Sequence, residues 1–315
     1  MTFQTSIPIQ KSDFLIDYSS KLVSFGSCFA ENMGNKFHYF KFSILTNPFG
    51  IIFNPISLEK IILRSIHKKY FTEKDIFYHN EAWHCYEVHS ELSNPDKAEF
   101  LTTLNQLIDT TNWHIEKLTH CLITLGTSWV YKYIESDEIV ANCHKVPQKH
   151  FVKKLLSVSE IEASIHNIIS EIQSINPNAK FIFTVSPVRH IKDGFVENSV
   201  SKAHLITAIY HFLSKTTSSI YFPSYEIMMD ELRDYRFYAE DMLHPNQTAI
   251  DYIWMKFSEN YINENEFETM QNVSEIQKSL NHRPFNPNSE SYLKFQDNLK
   301  QKINTIVAKY PEMKF

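Results

Sequence analysis

Apolar residues along this chain alternate between short continuous runs and four-residue recurrences, and that alternation sets out an order of strands and helices. Residues 21–25 form a β-prone run that stops at Gly26, after which Phe29, Met33 and Phe37 recur, so a strand, a sharp turn and a helix are predicted. A second β-prone stretch over 42–46 ends in the loop chemistry of Asn47-Pro48-Phe49-Gly50. Asn54-Pro55 then opens a helical pattern of Ile56, Ile61, Ile62 and Ile66, with proline in the first turn, where its missing N–H matters least. Residues 70–95 read as a hairpin, followed by a helix over 97–109; together they suggest an insertion over about 67–115. Residues 121–125 are a continuous apolar run of the kind found in strands covered on both faces, ended by Gly126. Ser157 and Glu160 have capping-box spacing ahead of the stripe Ile161, Ile165, Ile168, Ile169 and Ile172. After a break at Asn176-Pro177-Asn178 come a strand over 181–185, a loop through Ser186 to His190, a helix over 199–213 and a short strand over 219–222. A last apolar helical face carries Ile250, Ile253, Trp254 and Phe257.

Strands separated by helices imply an α/β fold with a mainly parallel central sheet covered on both faces. Ligands of such sheets bind beyond the carboxyl ends of the strands, so the turns at Gly26, Gly50, Gly126 and Ser186 are expected on one functional edge. The chain divides into a main domain over 1–262 and a helical extension over 263–315, with Asn-rich sequence near 281–290.

Composition narrows the function. A formal net charge of −5 offers no basic field for nucleic acid or an anionic membrane surface. No window approaches the roughly 18 apolar residues of a spanning helix, and the first residues lack a signal-peptide pattern; a soluble, cytoplasmic protein is expected. Cys28, Cys85, Cys121 and Cys143 are widely spaced without a C-x-x-C, so neither a disulfide framework nor a zinc site is suggested. His79, His84, Cys85 and His89 fit no compact ligand set, and no metal or cofactor is expected.

Two patterns carry candidate chemistry. Gly26-Ser27-Cys28 puts two nucleophile-capable side chains at a helix N-terminus, where free N–H groups favour a developing anion; either Ser27 or Cys28 can serve, and the alternative is a capping serine beside an ordinary buried thiol. Asp241-x-x-His244 has the loop spacing at which a carboxylate orients an imidazole, leaving the other ring nitrogen for proton transfer. Asn142, His144, Lys145, Arg189 and His190 are further candidates for lining a substrate pocket.

Gly26-Ser27-Cys28-Phe29-Ala30 is the pentapeptide of the GSCFA domain family, which is assigned to the SGNH (GDSL-like) hydrolase superfamily. The chain resembles that family over about residues 20–260, through 47–50, 53–55, 126–129, 142–147, 184–187 and 235–245. The resemblance implies a three-layer α/β/α, flavodoxin-like fold and acyl-ester hydrolase or acyltransferase chemistry on a small-molecule or carbohydrate ester. Laying Phe25-Gly26-Ser27-Cys28 over the superfamily's Phe-Gly-Asp-Ser puts Cys28 at the nucleophile's place. A related polysaccharide-biosynthesis family is similar in carrying cysteine there. Gly50 resembles the second-block glycine whose N–H helps bind the oxyanion, and the third-block asparagine falls on Ser128. The expected activity is ester hydrolysis by Cys28 or Ser27 with His244 and Asp241; the alternatives are a thiol-dependent acyltransferase using acyl-coenzyme A and a non-catalytic binding protein.

Overall fold

The computed structural model describes residues 5–315. Five strands make one sheet: β1 (Lys21–Gly26), β2 (Ser43–Thr46), β5 (His120–Leu125), β9 (Lys180–Val185) and β10 (Ser219–Tyr221), in the order β10-β9-β5-β1-β2 and parallel throughout. Counting only these strands, the order is the doubly wound 2-1-3-4-5, whose reversal falls between β1 and β5. The central strands read as apolar runs because both their faces are covered.

Alternate strand residues point into two cores. Val23, Phe25, Cys121, Ile123, Phe181 and Phe183 join α2 (Pro55–Ile66), α3 (Lys97–Lys117), α4 (Val158–Ile175) and α5 (Phe195–Leu213). Leu22, Leu122 and Ile182 meet α1 (Cys28–Tyr39) and α7 (Gln247–Tyr261) on the other face, where Phe37 packs edge-on against Phe42, Trp254 and Phe257. The α4 stripe is buried from Ile161 to Ile172, and Ser157 and Glu160 close the capping box. A fully buried Ile side chain is worth about 1.5–3 kcal/mol, so this stripe outweighs its cap in holding α4 to the sheet.

Two regions differ from the sequence pattern. Only the short hairpin of β3 (Phe77–His79) and β4 (Ala82–His84) stands apart between α2 and α3, because α3 runs to Lys117 and buries Phe100, Leu104, Ile108 and Ile115 in the main core. A three-stranded antiparallel sheet, β7-β6-β8, built from β6 (Trp129–Tyr133), β7 (Glu138–Val140) and β8 (Phe151–Leu155), follows β5. Its strands are half exposed and carry Lys132, Lys153, Lys154 and Glu138, which masks them among loop residues.

Beyond α7, α8 (Phe267–Leu280) and α9 (Glu290–Lys309) bury Val273, Ile276 and Ile306 with Met313. Tyr18 joins this cluster to the sheet: its ring stacks on Phe42 at 4.3 Å and tilts against Tyr310 at 4.8 Å. Among the described residues no helix is long and apolar enough to cross a membrane.

Candidate active site

All five strands being parallel, the turns after β1, β2, β5 and β9 open on the same edge. The turn after β1 is forced by Gly26, at φ 138°, where a Cβ would lie 2.1 Å from the Thr124 carbonyl oxygen of β5. Only glycine suits that combination of left-handed backbone and close approach. Asn47, in the loop after β2, accepts the Gly26 N–H on its Oδ1 at 2.8 Å, so neighbouring strands position the turn jointly. Ser27 follows, fully buried; its N–H donates to Thr124 O at 3.1 Å and its Oγ accepts the Phe29 N–H at 3.3 Å. The Ser27 hydroxyl thus acts as the N-cap of α1, and the nucleophile-capable group that reaches partial exposure is Cys28, the first residue of the helix.

Burial, then the Glu31 carboxylate one turn along α1, push the Cys28 thiol up. The backbone N–H groups of Phe29 and Cys28, and the Lys202 ammonium, act the other way. Glu31 is itself raised by burial, and Asn47 Nδ2 donates to it at 3.4 Å.

The second half of the site is a loop ahead of α7. Asp241 accepts the N–H groups of Leu243 and His244 on Oδ1 at 2.9 and 3.0 Å, with Met242 at φ 59°, and its Oδ2 lies 2.5 Å from His244 Nδ1. Those two N–H groups and then the imidazole hold the Asp241 carboxyl at about 2, so it is ionised across the neutral range. His244 is half exposed, and among the described residues its Nε2 makes no hydrogen bond, leaving it open for proton transfer. Arg189 N–H donates to Leu243 O at 3.4 Å, tying this loop to the one after β9.

Between the two halves lie groups of α5 and the loop after β9. Lys202 is 1% exposed, and its Nζ donates to Gly126 O at 2.8 Å and Ser186 O at 2.7 Å, clasping the ends of β5 and β9. Burial pulls this amine down to about 7, against the pull of Cys28 and Glu226. Burial also holds His190 near 3, helped by the positive charges of Lys202, His244 and Lys192. His190 therefore stays neutral; its ring stands edge-on to Phe53 at 5.4 Å, and its Nε2 is buried without a partner. Lys202 thus acts on both Cys28 and His190, and His244 on His190.

The sequence model of the GSCFA family matches residues 21–257, from β1 to α7. The chain belongs to the GSCFA family. A second model, that of the GSCFA domain protein C-terminal domain, matches residues 273–315, which include most of α8 and all of α9. No curated protein matches the chain.

Within this GSCFA chain several residues expected at the site have other partners. The Gly50 N–H donates to Asn47 O at 2.8 Å, closing the turn after β2, so it is not free to bind an oxyanion here; the missing side chain of Gly50 leaves room for His89, whose Cβ lies 2.4 Å from where a Cβ would stand. Ser128 is fully buried, and its Oγ donates to Ser201 O and Ser201 Oγ at 3.1 Å each, which turns it away from any ligand. His144 belongs to the hairpin region: its Nε2 lies 2.7 Å from Cys85 O, its ring packs 4.8 Å from His84, and burial holds it near 4. Asn142 serves this loop by accepting the His144 N–H, and Lys145 is exposed at φ 59°. Arg189 lies over the Phe195 ring at 5.6 Å with its Nε buried and unpartnered, beside His190.

Lys202 was not singled out in the sequence, although a signal exists. Asn198, Ser201 and Lys202 occupy the same helical register as the buried Leu205, Ala208, Ile209 and Phe212. A core-facing stripe that begins with three polar residues marks polar groups taken inward.

Proposed function

We propose that the protein is an SGNH-type acyl-ester hydrolase or acyltransferase whose nucleophile is Cys28. Two observations support this reading: a partly exposed thiol on the first turn of α1 at the strand-order reversal, and an Asp241–His244 dyad in the loop ahead of α7 whose imidazole keeps Nε2 free. His244 Nε2 takes the proton from Cys28 Sγ, and the thiolate attacks the acyl carbonyl carbon. The C–O bond of an ester, or the C–S bond of acyl-coenzyme A, breaks, the alcohol or thiol leaves with the proton that His244 returns, and the acyl group stays on the Cys28 sulfur as a thioester. Water then completes hydrolysis, or a second hydroxyl or thiol completes transfer, its proton passing to His244 and on to the departing Cys28 sulfur. Asp241 keeps the imidazole in the tautomer this relay needs and stabilises its charged form. An acylated carbohydrate is the substrate class proposed for hydrolysis and acyl-coenzyme A the donor proposed for transfer.

A second reading, a small-molecule-binding protein on the same scaffold, is favoured by the commitments of the Gly50 N–H and the Ser128 hydroxyl, which leave fewer oxyanion donors. Labelling separates the readings. Iodoacetamide and a fluorophosphonate are applied separately and the modified residue is mapped, alongside turnover of short-chain aryl esters by the wild type and Cys28→Ala. Iodoacetamide on Cys28, with turnover lowered by about a thousandfold or more in Cys28→Ala, is expected. Fluorophosphonate on Ser27 would move the chemistry to the hydroxyl, and labelling of neither residue with no turnover would leave the binding protein.

A further inference from the structure

Arg64 and Arg189 are both packed against the fold, and only Arg64 has its nitrogens matched. Arg64 gives Nε and Nη2 to Glu87 at 2.7 and 2.8 Å and Nη1 to Lys69 O at 3.0 Å. Arg189, half-buried in the loop after β9, has its Nε buried without a partner, and among the described residues no carboxylate lies within ion-pair distance of its guanidinium. Its Cζ lies over the Phe195 ring at 5.6 Å, which holds the guanidinium against the first turn of α5, and its Nη groups stay reachable from solvent. The same turn carries Asn198, 2% exposed, whose Oδ1 accepts the His190 N–H at 2.9 Å while its Nδ2 is buried without a partner. His190 Nε2 is the third such nitrogen, 3.4 Å from where a Gly126 Cβ would stand. Buried polar nitrogens are costly to leave unmatched, and three of them fall within residues 189–198.

Backbone hydrogen bonds tie this cluster to both halves of the candidate site. The Arg189 N–H donates to Leu243 O, next to His244. Phe53, against which His190 stands, accepts the Gly126 N–H on its carbonyl at 2.8 Å, and its neighbour Ile52 donates its N–H to Gly26 O at 3.0 Å, in the turn that leads to Cys28. Arg Nε and Asn Nδ2 are donors only, so the group that satisfies them carries acceptor oxygens, and the unpaired guanidinium selects a negative one. Acids of the surrounding segments are already engaged: Asp193 pairs with Lys153, Asp241 with His244, and Glu226 of the short helix α6 (Ser224–Glu226) accepts the Tyr221 hydroxyl on both oxygens at 2.9 Å.

We infer that Arg189, with Asn198 and His190, forms a subsite for an anionic oxygen group of the ligand, a carboxylate or a phosphate, so that the ester handled at Cys28 is an acidic one. The binding stands on the cluster itself, whereas its consequence for turnover rests on the reading of Cys28 and His244 as the reacting pair. Arg189 is a specificity-determining residue in this scheme, because Nε and Nη of one guanidinium present two parallel donors to two oxygens of one group.

The test compares para-acetoxybenzoate with its neutral methyl ester on wild type, Arg189→Met and Arg189→Lys. The quantity read is the ratio of kcat/KM for the anionic over the neutral ester, in which the intrinsic reactivity of each compound cancels between variants. The ratio is expected to fall by about tenfold or more in Arg189→Met, chiefly through KM of the anionic ester, and to recover in part in Arg189→Lys, which keeps the charge without the fork. An equal ratio in wild type and Arg189→Met overturns the inference and leaves the Cys28 chemistry standing. Binding is read separately on the wild type, from the Arg189 Nε–H signal in a nitrogen–proton correlation spectrum as para-hydroxybenzoate, phenyl phosphate or phenol is added. That signal is expected to shift with the anions and not with phenol, the larger shift telling carboxylate from phosphate. If the wild type hydrolyses neither ester, the proposed activity fails and the titration alone decides: no shift with either anion overturns the inference.

Discussion

Imidazoles and thiols gather in two regions, and they have opposite fates. In the hairpin region His84 Nδ1 lies 2.6 Å from Ser93 Oγ and its Nε2 lies 2.9 Å from His79 O, while His144 Nε2 is taken by Cys85 O. Cys85 beside them is buried and pushed up to about 12, out of reach of thiolate chemistry. At the carboxyl edge of the sheet His244 binds Asp241 by one nitrogen only, and Cys28 is partly exposed on a helix N-terminus. The same residue types become structural where their polar atoms end on carbonyls and hydroxyls. They are poised for chemistry where a lone pair and a path to solvent are left over.

The comparison breaks most sharply at Asp241. Asp241→Asn keeps the loop's size but removes the charge that orients His244, and steady-state kinetics on an aryl ester is expected to show kcat lowered by about a thousandfold with the fold intact. A kcat within a few-fold of wild type would detach the dyad from catalysis. On the hairpin side, His84→Asn loses both ring contacts of a buried imidazole, and denaturant unfolding is expected to show a loss of about 2 kcal/mol with kcat per folded molecule unchanged. A fall in kcat there would make the hairpin part of the active region.

The last effect, spread over several pH units, reaches both regions. Burial holds His120 and His144 near 4 and His190 near 3, against 6.5 for the free side chain. Their folded values lie below the unfolded one, so the unfolded chain binds more protons in between, and stability present above pH 6.5 is lost as pH falls toward 4. Each imidazole contributes up to about 1.4 kcal/mol per pH unit to that slope. Unfolding measured at a series of pH values is expected to show the decline, and His144→Gln and His190→Gln are each expected to flatten it relative to wild type. A slope that both variants leave unchanged would mean that these rings titrate alike in the folded and unfolded chain.

Features confined to neighbouring residues were legible from residue order. The β1 run, the Gly26 turn, the α4 isoleucine stripe and the Asp241–His244 spacing all express local periodicity or a hydrogen bond closing over three residues. The half-exposed β6–β8 sheet was not legible, because its apolar residues are interleaved with lysines and carry no continuous run. The proposal of Cys28 rather than Ser27 draws on two sources: the register of the family resemblance points to the thiol, and at the packed α1 terminus the Ser27 hydroxyl serves as a cap.

The sequence by itself determined an α/β chain with a glycine-gated turn after its first central strand and an acid–imidazole pair ahead of its last sheet-covering helix, because period and spacing are properties of residue order. Only the tertiary structure decided which polar atoms remain free. Ser128 is committed to Ser201, 73 residues away in the chain, while Lys202 reaches carbonyls just past the ends of two different strands, 76 and 16 residues away. A hydrogen bond satisfies whichever donor and acceptor packing brings within about 3 Å, and that distance is set by the sheet order rather than by the neighbours in the chain.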